Sequence, residues 1–115
     1  MLSKKDLNRL YHMLKAAREA VGYAKGRSRE DLESDRPLIH SLVRCLEIIG
    51  EAAGKVSKKY RQENTRIQWE DLIDMRNRLI HVYFDINLKI VWQTVENELP
   101  PLITELENII ELTEM

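Results

Sequence analysis

The stretch PLIHSLVRCLEIIGEAAGKV, residues 37–56, decides the fold. Leu38, Leu42, Leu46, Ile49, Ala53 and Val56 recur at three- and four-residue steps, which is one face of an α-helix. Pro37 suits the first turn of that helix, where its missing N–H is an orphan donor anyway. Within it, Gly50, Ala53 and Gly54 gather on one side. Each glycine costs a helix about 1 kcal/mol relative to alanine, so small residues here point to close approach by a second helix backbone.

Reading outward, the same period runs both ways. Leu7, Leu10, Leu14, Ala17 and Val21 define a first helix, with Ser3 placed to cap it and Gly22 and Gly26 placed to fray or end it. GRSREDLESD between the two predicts a loop with a short helical turn, and SKKYRQENTRIQ after the second predicts a connection. A third helix is expected from Glu70 to about Phe84, with Leu72, Met75, Leu79 and Val82 inside. Asp85 and Asn87 are candidate caps for a fourth through Leu88, Val91, Val95 and Leu99. Pro100 and Pro101 should kink or break it before Leu102, Leu106, Ile109 and Ile110 resume the period. The expected architecture is an all-α up-and-down bundle of four to five helices in one domain, residues 1–115.

Composition narrows the function classes. A chain of 115 residues, 43% hydrophobic and 32% charged, has the make-up of one globular domain. Its net charge of -1 argues against a surface coated for bulk nucleic-acid adhesion, while leaving room for a local basic site. Cys45 is alone, which excludes an intrachain disulfide and a cysteine-based zinc site and leaves it a buried apolar role. The charged start MLSKKDLNRL lacks the apolar run of a signal peptide, and no stretch approaches the roughly 20 apolar residues of a membrane span. A cytoplasmic protein without membrane association is expected.

The chemistry concentrates in RNRLIHVYF, residues 76–84. On an ideal helix Arg76 and Tyr83 align on a mixed stripe with Ile73 and Ile80, whereas His81 lies about 140° from Arg76, on the face of Asn77. A second, partly apolar stripe implies another covered surface, either the C-terminal helix or a second subunit. Periodicity alone leaves Arg76 and His81 as solvated groups and Tyr83 as a core-edge aromatic. His12 and His40 have no comparable company. Glu47 and Glu51, one turn apart, lack a third ligand and read as a solvated face or as partners for Arg44 and Lys55. Lys55, Lys58, Lys59, Arg61 and Arg66 form the one basic concentration, a solvated connection or an RNA track.

Arg76, His81 and Tyr83 reproduce an R-x4-H-x-Y pattern and, with LEIIGEAAGKVS (46–57), MRNRLIHVYF (75–84) and VWQTVENELPPL (91–102), make the chain resemble the HepT-like ribonuclease toxins of the HEPN superfamily over nearly its whole length. The resemblance implies an all-α HEPN bundle that pairs into a homodimer and joins two motif copies in one cleft. It implies a metal-independent endoribonuclease needing no cofactor, with catalytic residues Arg76, His81 and Asn77. It further implies a partner, an MntA-like minimal nucleotidyltransferase antitoxin, that silences the toxin by transferring AMP to Tyr83.

The residue types suit that chemistry. The 2′-OH of RNA attacks its own adjacent phosphate, so a protein need only move protons and offset phosphorane charge. An ordinary imidazole titrates near 6.5, where it serves as base or acid. A guanidinium matches two phosphate oxygens and stays charged. An AMP on Tyr83 would bring a phosphodiester charge and a nucleoside next to Arg76. The competing expectation is a non-catalytic HEPN-type adaptor for a nucleotide or protein, favoured by the acidic balance and the lack of an aromatic platform for bases.

Overall fold

The first stripe becomes helix α1, Lys4–Ala24, in a computed structural model that describes residues 2–81 and 85–114. Ser3 caps it as its position predicts, its hydroxyl accepting from the Asp6 N–H at 3.0 Å. Gly26 completes the exit from this helix at φ 74°, a conformation that favours glycine. The polar stretch holds the short helix α2, Asp31–Ser34. Asp35 caps α3, Arg36–Lys55, by accepting from the Leu38 N–H at 3.1 Å, with Pro37 in the first turn. The Arg27 guanidinium, 2.7 Å away, and that N–H hold the Asp35 carboxyl below the usual carboxylate range.

α3 is the central element. α1 packs along it on one side, and α5, Trp69–Ile73, with α6, Met75–Leu79, lie on another. Every residue of the α3 stripe, Leu38 through Val56, is buried in the single core. Cys45 is buried there too, and burial pushes its thiol up. Gly50 meets the expectation of close approach: a Cβ on it would stand 2.6 Å from the Leu72 carbonyl oxygen. Among the described residues no helix is long and apolar enough to cross a membrane.

Asp6 is a buried carboxylate that joins two elements far apart in sequence. It accepts from the Ser57 N–H at 2.9 Å and from the Ser57 hydroxyl at 2.7 Å. Ser57 in turn caps α4, Lys58–Glu63, a short helix within the stretch expected to be a plain connection. Its period was hidden because no residue of α4 is buried. Asp6→Ala removes two hydrogen bonds to a charged acceptor, so it should destabilise the fold by about 1.5–3 kcal/mol. Urea denaturation with an unchanged m-value is the check.

Two expectations need correction. The third helix does not reach Phe84. It divides at Asp74, and helical structure stops at Leu79. Ile80 turns extended (φ −103°, ψ 114°) and begins β1, Ile80–His81, antiparallel to β2, Asp85–Ile86, with Ile80 opposite Ile86 and His81 opposite Asp85. The Asn87 N–H donates to the Leu79 carbonyl at 2.7 Å and closes the base of this pair. The physical reason lies in Ile80, a β-branched residue that suits extended backbone better than helix. The fold remains all-α with this one small exception.

Nor do the prolines break the fourth helix. Asn87 caps α7, Leu88–Gln93, as expected, accepting from the Ile90 N–H at 3.1 Å. The chain then passes through a widened π turn, Thr94–Glu98, and on into α8, Leu99–Glu114, which contains both prolines. The Leu99 N–H reaches back to the Thr94 carbonyl, one residue further than in an α-helix. That wider turn, directly before the prolines, absorbs the strain that otherwise breaks a helix at missing donors and ring–carbonyl clashes.

Candidate functional site

α6 presents Arg76 and Asn77, both exposed, on the far side from buried Met75 and Leu79. Because helical structure stops at Leu79, the angular separation of Arg76 from His81 expected for one helix does not apply. His81 instead stands on an extended strand two residues past the helix end, with Asp85 as its cross-strand partner in register. The His81 side chain and all of Tyr83 lie outside the described residues, as does Val82, assigned above to the inner stripe.

The Arg76 guanidinium is the end of a small hollow formed with Leu46, Glu47, Gly50, Glu51 and Ile73. Its Nε lies 3.9 Å from Glu47 Oε2, an ion pair too long for a direct hydrogen bond. The Arg76 side chain is 74% exposed and that of Glu47 only 24%, so Glu47 is the anchored member. Glu51 takes Arg44, at 3.8 Å, which meets part of the expected pairing along α3. Glu47 does not join that solvated set; it faces the motif. Ile73 rests 3.8 Å from the Cβ position of Gly54, so α3 covers part of the mixed stripe.

A second tie comes from Arg78. Its Nη2 stands 3.3 Å from Glu98 Oε2, and the same oxygen accepts from the Thr94 hydroxyl at 3.4 Å. Thr94 is fully buried, so the widened turn and the motif helix are linked through one carboxylate. Arg78 and Glu98 were invisible to periodicity, which carries no information about pairs distant in sequence. Glu47 was more accessible: it precedes Gly50 by one turn, on the helix that small residues mark for close approach.

Elsewhere, the basic concentration is partly neutralised, with Arg61 3.8 Å from Glu70 and Arg66 3.9 Å from Glu105. His12 and His40 are exposed, as expected. Among the described residues no group of three His, Cys, Asp or Glu side chains is arranged to hold a metal ion.

Comparison with known proteins adds a second line of evidence. The family described as "Ribonuclease HepT-like" matches residues 13–109. A protein of Caldanaerobacter subterraneus subsp. tengcongensis named "Putative RNase" is 36% identical over 102 residues, covering 89% of this chain and 91% of its own. A protein of Methanocaldococcus jannaschii with the same kind of name is 34% identical over 110 residues, 95% of this chain and 91% of its own. "Probable ribonuclease HepT" of Thermococcus cleftensis is 32% identical over 80 residues, 70% of this chain and 73% of its own. No solved structure matches.

Proposed function

Since this chain belongs to the HepT-like ribonuclease family, we propose that it is a metal-independent endoribonuclease whose site is built from Arg76, Asn77 and His81. The observation that carries this reading is the placement of Arg76. Its guanidinium faces Glu47 at 3.9 Å and is otherwise largely open to solvent, on the helix that runs directly into the strand bearing His81.

The reaction follows from these groups. One imidazole takes the proton of the RNA 2′-OH as that oxygen bonds to the adjacent phosphorus. The bond to the 5′-oxygen breaks, and a second group returns a proton to the leaving alkoxide. Arg76 offsets the charge that builds on the phosphorane oxygens. Asn77 orients the imidazole or the phosphate. One protomer carries a single motif histidine, and a homodimer would supply two to one cleft. As a toxin, the protein would be silenced by a minimal nucleotidyltransferase antitoxin: the Tyr83 hydroxyl attacks the α-phosphorus of ATP, pyrophosphate leaves, and the added AMP competes with RNA phosphate for Arg76.

The test is incubation of the protein, shown by mass to be unmodified at Tyr83, with varied RNAs in EDTA. Cleavage to 2′,3′-cyclic phosphate ends is expected. Intact RNA under these conditions overturns the catalytic reading in favour of a non-catalytic adaptor. In the same assay with the antitoxin and ATP, activity should be lost as one AMP mass or more appears on Tyr83, and Tyr83→Phe should escape.

A further inference from the structure

We infer that Glu47 is a positioning residue for the ribonuclease chemistry, aiming the Arg76 guanidinium at RNA phosphate. The inference rests on the ribonuclease reading above but concerns a residue on a different helix. Three features carry it. The Leu72 carbonyl sits 2.6 Å from where a Gly50 Cβ would be, so α3 and the α5–α6 segment are locked at van der Waals limit. Glu47 lies one turn before Gly50, and Arg76 one turn after Leu72, so the lock fixes which carboxylate faces the motif arginine. Glu51, the alternative carboxylate in the hollow, is engaged by Arg44.

The geometry of the pair matters. A guanidinium presents its donors in a planar fork. Glu47 approaches at Nε, which leaves the two terminal nitrogens, the pair that matches two phosphate oxygens, away from the anchor. Left unpaired, an exposed arginine spreads over many rotamers, and only a small share of them would point the fork at a reacting phosphate. The anchor has an opposing effect, because a carboxylate so close to the guanidinium repels the incoming RNA. Glu47 thus favours aim over ground-state attraction. A group of this kind shows its effect in kcat rather than in KM.

The experiment is steady-state cleavage of a short RNA by wild type, Glu47→Gln, Arg76→Ala and the double variant. Glu47→Gln should lower kcat about tenfold, with KM unchanged or lower. In the Arg76→Ala background the same change should have no further effect, since nothing is left to aim. A wild-type kcat in Glu47→Gln overturns the inference, as does an equal loss in both backgrounds; a rise in kcat/KM through KM alone would make Glu47 a competitor of RNA instead. A readout independent of activity separates this from failure of the ribonuclease reading: the Arg76 Nε–H resonance, assigned by its loss in Arg76→Lys, should shift in Glu47→Gln. An unmoved resonance overturns the inference even if no RNA is cut by any variant.

Discussion

His81→Ala should lower RNA cleavage by roughly 10²–10⁴-fold, the range lost when a positioned acid–base group is removed. The proposed chemistry has two proton transfers and no other histidine within the motif, since His12 and His40 stand exposed on α1 and α3. Single-turnover cleavage of a short RNA measures the effect on the chemical step. RNA affinity should change far less, because the phosphate charge is met by Arg76. Arg76→Ala should show the complementary signature, losing both rate and affinity. Cleavage by His81→Ala at the wild-type rate would remove His81 from the mechanism and require another base.

Gly50→Ala should be the most damaging small substitution outside the motif. Alanine improves helix propensity by about 1 kcal/mol, but its Cβ would stand 2.6 Å from a backbone carbonyl, and a backbone cannot step aside as a side-chain tip can. Overpacking of this kind costs about 1–3 kcal/mol. We expect a net loss near the middle of that range and a fall in Tm of roughly 5–10 °C. The shift of Leu72 should also carry Arg76 away from Glu47, so activity should fall even at temperatures where the variant is folded. Gly54→Ala is the control. Its Cβ would meet Ile73 Cγ1 at 3.8 Å, an ordinary contact, so stability should hold or rise by less than about 1 kcal/mol. Calorimetry on both variants separates the two glycines, and equal Tm values would contradict the close-approach account.

The bundle could be read from the sequence because burial in helices follows a fixed angular step, and the stripes at Leu7–Val21 and Leu38–Val56 are long enough to show it. Caps were equally readable at Ser3 and Asn87, since a cap is a local arrangement of three or four residues. The end of the third helix was not, because Arg76 to Phe84 carries two periods at once. Leu72, Met75 and Leu79 keep the helical step, while Ile80, Val82 and Phe84 alternate. A helical reading wins on length, and the strand reading wins on residue type. The candidate site was only partly readable. Arg76 and Asn77 stand exposed as a binding role requires, but Glu47 and the Arg78–Glu98 tie depend on which helices are neighbours, a property of the assembled fold.

The widened turn at Thr94–Glu98 has one more consequence, in the rotational alignment of the last helix. From Val91 to Ile110 there are nineteen steps, which at about 100° each overshoot five full turns by about 100°. On a regular helix the two side chains would therefore point in clearly different directions. Both are buried in the same core. A π turn accommodates about one extra residue and so takes back about 100°, which brings Ile110 into line with Val91. The turn works as a phase correction. Deleting one residue between Thr94 and Glu98 would leave about eighteen steps, or five full turns, so ordinary helix could replace the π turn with Leu102, Leu106 and Ile110 still facing the core.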